Sequence, residues 1–214
     1  MRRLAIFPTL GAMLLVLAMA CANPAANAPE ATVEEPAPAA ETSPEPAGDV
    51  AIYTLTDEST IGFVGSKVTG SHDGGFQAFE GEISLVEGTV EGSSVHVVID
   101  TTSLWSDNED LTEHLKSADF FEVATYPTAT FTSTEVTRGE DGTYTLTGNL
   151  DLHGVTKQIS FPAAIELSDA GITATAEFSI KRFDFDIVYP GKADDLIRDE
   201  VLIKLDLRAA PEPE

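Results

Sequence analysis

Between Val50 and Arg208 apolar side chains recur at every second position, a period that suits strands and excludes long amphipathic helices. Tyr144, Leu146, Gly148, Leu150 and Leu152 alternate with Thr145, Thr147, Asn149 and Asp151. Ile172, Ala174, Ala176, Phe178 and Ile180 do the same, as do Val201, Ile203, Leu205 and Leu207. Val155, Ile159, Phe161, Ala163 and Ile165 share one parity, which Lys157 interrupts. Each run puts one face in a core and the other in water. Turn signals separate the runs at Gly139–Gly142, His153-Gly154 and Ser168–Gly171, a spacing that predicts antiparallel hairpins. Earlier strands are expected at Ala51–Thr56, Thr60–Val68, Phe76–Val86 and Val95–Asp100. A sheet of about eight strands with one apolar face closes most simply into a barrel, with a two-sheet sandwich as the alternative.

One helix breaks the pattern. Ser106-Asp107-Asn108-Glu109 has the form of a capping box, and Leu111 and Leu115 lie one turn apart, which predicts a helix from Asp107 to Ser117. A shorter helical turn is expected at Ala193–Arg198. Phe120 and Phe121 suit a loop pinned over a barrel end, Pro127 a bend into the next strand, and Gly154 a positive φ in its turn. Trp105 suits either a cover for the barrel mouth or a packing position beneath the helix.

The flanks have another texture. Arg2 and Arg3 precede an apolar run from Leu4 to Ala20 with no stop-transfer charges after it, so residues 1–20 read as a signal peptide. The run ends Leu17-Ala18-Met19-Ala20-Cys21, which resembles the bacterial lipobox, although Ala18 stands where leucine is usual. That resemblance implies lipidation at Cys21, palmitate-type acyl chains holding the protein to a membrane. An ordinary secretory cleavage is the alternative. Residues 21–49 carry Pro24, Pro29, Pro36, Pro38, Pro44 and Pro46 among alanines and carboxylates, with no aromatic or basic residue. Such a segment reads as a disordered, semi-stiff tether reaching on the order of 80 Å when extended. Residues 209–214 repeat this composition and read as a disordered tail after a 50–208 domain.

Cys21 is the only cysteine, so no internal disulfide and no cysteine-based zinc site is expected. A net charge of −24 repels nucleic acid and anionic lipid head groups. His72, His96, His114 and His153 show no metal-binding spacing, and no Gly-x-Ser-x-Gly elbow occurs, so neither a metal site nor a catalytic residue is assigned. Arg182, Lys192, Asp194, Asp195 and Arg198 form a mixed-charge cluster. It serves either as surface ion pairs or, through Arg182 and Arg198, as a polar gate for a ligand head group.

Several motifs carry a resemblance beyond pattern. LTEHLKSADFFEVATYPTATFTSTEV (Leu111 to Val136), LTGNLDLHGVTKQISF (Leu146 to Phe161) and RFDFDIVYPGKADDLIRDEVLIKLDL (Arg182 to Leu207) resemble hallmarks of the YceI-like family of polyisoprenoid-binding-like proteins. Tyr53-Thr54-Leu55 and Ser59–Phe63 extend the likeness over nearly all of residues 50–208. The resemblance implies an eight-stranded antiparallel lipocalin-like β-barrel with an apolar interior that binds long isoprenoids, isoprenoid quinones or amphiphilic lipids. It implies no cofactor other than such a lipid, and an exported location. With the anchor, the expectation is the periplasmic face of a bacterial membrane or the cell surface, the outer membrane being favoured because Ala22 follows the cysteine.

Barrels of this size either fill with side chains or hold one elongated ligand. Phe63, Phe79, Val97, Phe131, Leu146, Leu150, Phe161, Phe178 and Leu205 are the candidate lining residues. The function expected is non-enzymatic carriage or storage of a lipid. The alternatives are a structural or stress-response interaction module with a filled barrel, and an enzyme with a dispersed site. The oligomeric state is left open, a dimer included.

Overall fold

The computed structural model describes residues 23–38 and 49–211. In chain order the strands are β1 (Thr32–Glu34), β2 (Val50–Leu55), β3 (Thr60–Lys67), β4 (Gly70–Phe76), β5 (Phe79–Val86), β6 (Thr89–Asp100) and β7 (Leu104–Ser106). Helix α1 (Glu109–Lys116) follows, then β8 (Thr128–Arg138), β9 (Tyr144–Leu152), β10 (Val155–Ser168), β11 (Gly171–Lys181), β12 (Gly191–Lys192), β13 (Asp195–Leu196) and β14 (Glu200–Pro211).

Antiparallel pairing runs β11-β10-β9-β8-β6-β5-β2-β14 and returns from β14 to β11, closing an eight-stranded barrel. The other edge of β14 has two partners in succession. β3 pairs along Leu202–Asp206 and β2 along Ala209–Pro211, so β3, β4 and β7 flare from the wall as an extension. Period-two alternation decides the layering: Phe161, Phe178, Leu146 and Val97 face in, while their polar neighbours face out. One end of the barrel carries the tight turns Glu87-Gly88, Gly139–Gly142 and Ser168–Gly171. The opposite end carries α1, the β3–β4 tip and the small β12–β13 hairpin.

The helix is shorter than its predicted range, and its cap differs. Asn108, not Ser106, caps it, its Oδ1 accepting the Leu111 N–H at 2.9 Å. Ser106 instead donates to the Asn108 carbonyl at 2.8 Å, supporting the cap from behind. The helical turn expected at Ala193–Arg198 is the β12–β13 hairpin, with Gly191 at φ 82°. The disordered tail expected from residue 209 is corrected as well: β14 continues through Ala209, Ala210 and Pro211, which pair with Leu55, Thr54 and Tyr53.

The largest departure is the N-terminal segment. The tether expected to lack structure over residues 21–49 is ordered against the barrel from Asn23 to Pro38. β10 and β11 pair directly only between Ala164 and Ser168, opposite Thr175 to Gly171, and then diverge. Pro162, which brings no N–H, stands near the point of divergence. The segment fills the gap. Thr32, Val33 and Glu34 pair with Ser160, Ile159 and Gln158, while Ser179 donates to the Pro29 carbonyl at 2.9 Å and accepts from Ala31 N–H at 2.8 Å. Ala31 is buried in the main core and Val33 packs against it. Ala25 is buried outside the wall, against Val64 and Leu202. Such a segment needs no core of its own, because an open sheet edge supplies its hydrogen-bond partners.

Candidate functional site

A cavity of about 410 Å³ lies inside the barrel. Its wall comes from inward positions of β3, β6, β8, β9, β10, β11 and β14, with α1 and the following loop across one end. Of the predicted lining residues, Phe63, Val97, Phe131, Leu146, Leu150, Phe161, Phe178 and Leu205 stand on it. Phe63, Phe131, Leu150 and Leu205 are only half-buried although the sheet encloses them. Their uncovered surface faces the cavity, as expected of a hollow barrel and not of a packed one.

Aromatic rings shape the wall. Phe161 and Phe178 stack across the β10–β11 divergence with centroids 4.1 Å apart, and Phe131 meets Phe161 at 5.7 Å. The Phe131 ring lies over Gly148, where a Cβ would come within 2.6 Å of it. That close approach is why the alternation of β9 needs a glycine at an inward position.

Phe79 is the exception. It has the inward parity but sits half-buried at the first position of β5 and does not reach the cavity. Along β5 the inward side is solid packing, with Leu55 over Gly81 and Ile83 and Leu85 in the core. Phe120 and Phe121 cover one end of the cavity, as their expected place over a barrel end requires, and they are joined there by Leu111, Leu115, Ile187 and Tyr189, which the sequence did not mark as site residues. Phe121 meets Phe63 and Phe76 with centroids 6.2 and 5.8 Å away. Trp105 is 39% exposed and neither covers the mouth nor packs under the helix; its indole lies on the outer side of β7 against Gly75.

Polar groups gather where the cavity reaches solvent, between the β3–β4 tip, the β12–β13 hairpin and α1. Lys67 pairs with Asp195 at 2.7 Å, and Thr69 Oγ1 donates to the same carboxylate at 2.9 Å. The Lys67 hydrogen bond is the main reason the Asp195 carboxyl is held below the usual carboxylate range. His72 meets Asp107 at 2.7 Å and His114 meets Asp119 at 2.8 Å, the histidines half-buried and the aspartates exposed. No group of three or more His, Cys, Asp or Glu placed to hold a metal occurs among the described residues.

The two arginines expected at a gate behave differently. Arg198 is not on the cavity wall; its N–H donates to the Ser66 carbonyl at 2.8 Å. Arg182 does line the cavity but is buried, and it spends its guanidinium on carbonyls. Nε reaches Arg198 O at 2.9 Å, Nη2 reaches Ile197 O at 3.4 Å, and Nη1 bonds Ile187 O, while the guanidinium sits 4.5 Å from the Phe183 ring centroid. Burial lowers its basicity, against the pull of Asp199. Arg182 therefore pins the loop that frames the mouth. Arg182→Ala should cost about 3 kcal/mol, since several buried carbonyls lose their donor. A urea titration that finds less than about 1 kcal/mol would remove this role.

The profile of the YceI-like domain matches residues 53–209 of this chain. The chain belongs to the YceI-like family. A UPF0312 protein of Pseudomonas putida is 37% identical over 153 residues, covering 65% of this chain and 78% of that protein. One from Vibrio parahaemolyticus is 34% identical over 151 residues, covering 66% and 80%. Among solved structures, Burkholderia cenocepacia BcnA superposes with a TM-score of 0.63 at 25% identity, over 72% of this chain and 97% of its own. A polyisoprenoid binding domain from Saccharophagus degradans, implicated in plant cell wall breakdown, gives 0.61 at 21% identity, over 77% and 100%. This YceI-like barrel shares its fold with both, and the cavity described above is formed by this chain's own side chains.

Proposed function

We propose that this YceI-like protein carries or stores a polyisoprenoid, an isoprenoid quinone or a related amphiphilic lipid without chemically changing it. The observation that carries the reading is the apolar cavity of about 410 Å³, open at one end among polar side chains. An elongated apolar chain gains roughly 0.8 kcal/mol for each methylene it buries there, and a polar head can remain at the mouth. The Saccharophagus degradans domain named for polyisoprenoid binding supports the ligand class through the shared fold.

We further propose that acyl chains on Cys21 hold the protein at the periplasmic face of a bacterial membrane, the outer one favoured, or at the cell surface. Cys21 lies outside the described residues, so this part rests on the lipobox-like sequence. Native mass spectrometry and organic extraction of the purified protein test the carriage reading. A stoichiometric long-chain lipid is expected. A cavity that stays empty and resists loading would replace carriage with a structural role, and turnover of an ester or isoprenyl substrate would replace it with catalysis. Cys21→Ser should release the protein from the membrane and leave lipid affinity in solution unchanged.

A further inference from the structure

We propose that the mouth end of the barrel docks on a zwitterionic lipid bilayer through an apolar rim made by Val68, Phe183, Val188 and Leu196. The inference rests on the lipid-carrier reading and adds the surface from which the ligand would be taken. The four side chains are 55%, 46%, 59% and 51% exposed. Isolated exposed apolar residues are ordinary on a protein surface, so their placement decides the matter.

They lie on one connected rim. The Val68 N–H donates to the Leu196 carbonyl at 3.2 Å, joining the β3–β4 tip to the β12–β13 hairpin. The Ile197 N–H donates to the Pro190 carbonyl at 3.1 Å, joining that hairpin to the Val188 loop. Arg182 lies 4.5 Å from the Phe183 ring centroid and bonds the carbonyls of Ile187 and Ile197, which ties Phe183 to both. The cavity opens inside this ring, where Lys67, Lys192 and Asp195 line it.

The first described residues favour a bilayer over a second protein copy. Ala25 is packed against Val64 and Leu202 on the outer wall, and Val64 is roughly 13 Å along β3 from Val68. Cys21 therefore precedes, by only a few residues, a segment fixed beside the rim. An anchor there draws the rim toward the membrane, whereas a second copy seated on the rim would seal the cavity. The net charge of −24 sets the lipid class, since an anionic leaflet would repel the domain.

The test uses tryptophan quenching by brominated acyl chains. The protein without its signal peptide is coupled through the Cys21 thiol to a maleimide lipid in phosphatidylcholine vesicles. Leu196→Trp in a Trp105→Phe background places the only indole on the rim, and Glu140→Trp in the same background places it at the opposite end. Quenching at residue 196 should exceed that at residue 140 by about fivefold or more, as rim insertion to the acyl boundary requires. Equal quenching at the two positions overturns the proposal, and so does a dimer whose formation alone shields the residue 196 indole. Val68→Trp repeats the measurement if the Leu196 variant folds poorly. The readout does not depend on bound lipid. Quenching with an empty cavity would keep docking and sink carriage, whereas a lipid-filled barrel without quenching would sink docking alone.

Discussion

Removal of residues 23–38 is expected to accelerate amide exchange at Ser179 by about a hundredfold or more, while the rest of the β11–β14 ladder stays protected. The Ser179 N–H points into the gap between β10 and β11, where its acceptor is the Pro29 carbonyl at 2.9 Å. Without that carbonyl the amide faces water. The global cost should be far smaller. The segment brings only small side chains to the core, Ala25 and Ala31 buried and Val33 packed beside them. The ion pairs Lys157–Glu35 and Lys181–Glu30, both at 2.8 Å or less, lie at the surface and add little. The β9–β10 and β11–β14 ladders do not depend on this segment, so a local opening is expected without a large drop in the unfolding midpoint. Exchange measured by mass spectrometry on the truncated and full chains decides it. Unchanged protection at Ser179 would mean that β10 and β11 close the gap by themselves.

This segment also marks where the sequence could be read and where it could not. Alternation located the strands and their inward faces, because burial on one side of a sheet forces period two whatever the neighbours are. It therefore placed Phe161, Phe178, Leu146 and Val97 correctly. Parity carries no information about depth, which is why Phe79 was assigned to a cavity that β5 does not reach. Nor does it describe a loop, so Ile187 and Tyr189 were not assigned to the end that α1 covers, whereas the Phe120-Phe121 pair was. Composition misled over residues 23–38, since it measures whether a segment can fold alone and not whether a sheet edge is waiting for it. Two signals of that edge were present. Pro162 interrupts an otherwise central strand, and Lys157 occupies an apolar parity because Glu35 of the N-terminal segment meets it there. Arg182 was recognised as important, but its neighbours Ile187, Ile197 and Arg198 bind it through carbonyls, which no side-chain pattern reveals.

Val95→Trp is expected to abolish lipid loading, with at least about a hundredfold loss of affinity, and to change stability by less than about 1 kcal/mol. Val95 is half-buried on β6, pairs with Ile83, and stands on the cavity wall. In a packed core an added indole would force neighbours off their rotamers and cost about 1–3 kcal/mol. Against an empty volume of about 410 Å³ it meets space, and the apolar contacts it gains offset its lost rotamer freedom. The two outcomes separate a hollow barrel from a filled one more directly than ligand binding alone. A stable variant that no longer loads lipid places the ligand in the interior. A variant that unfolds early would show that the wall closes up around Val95 in solution. A stable variant that loads lipid normally would move the binding site away from this stretch of β6, toward the mouth.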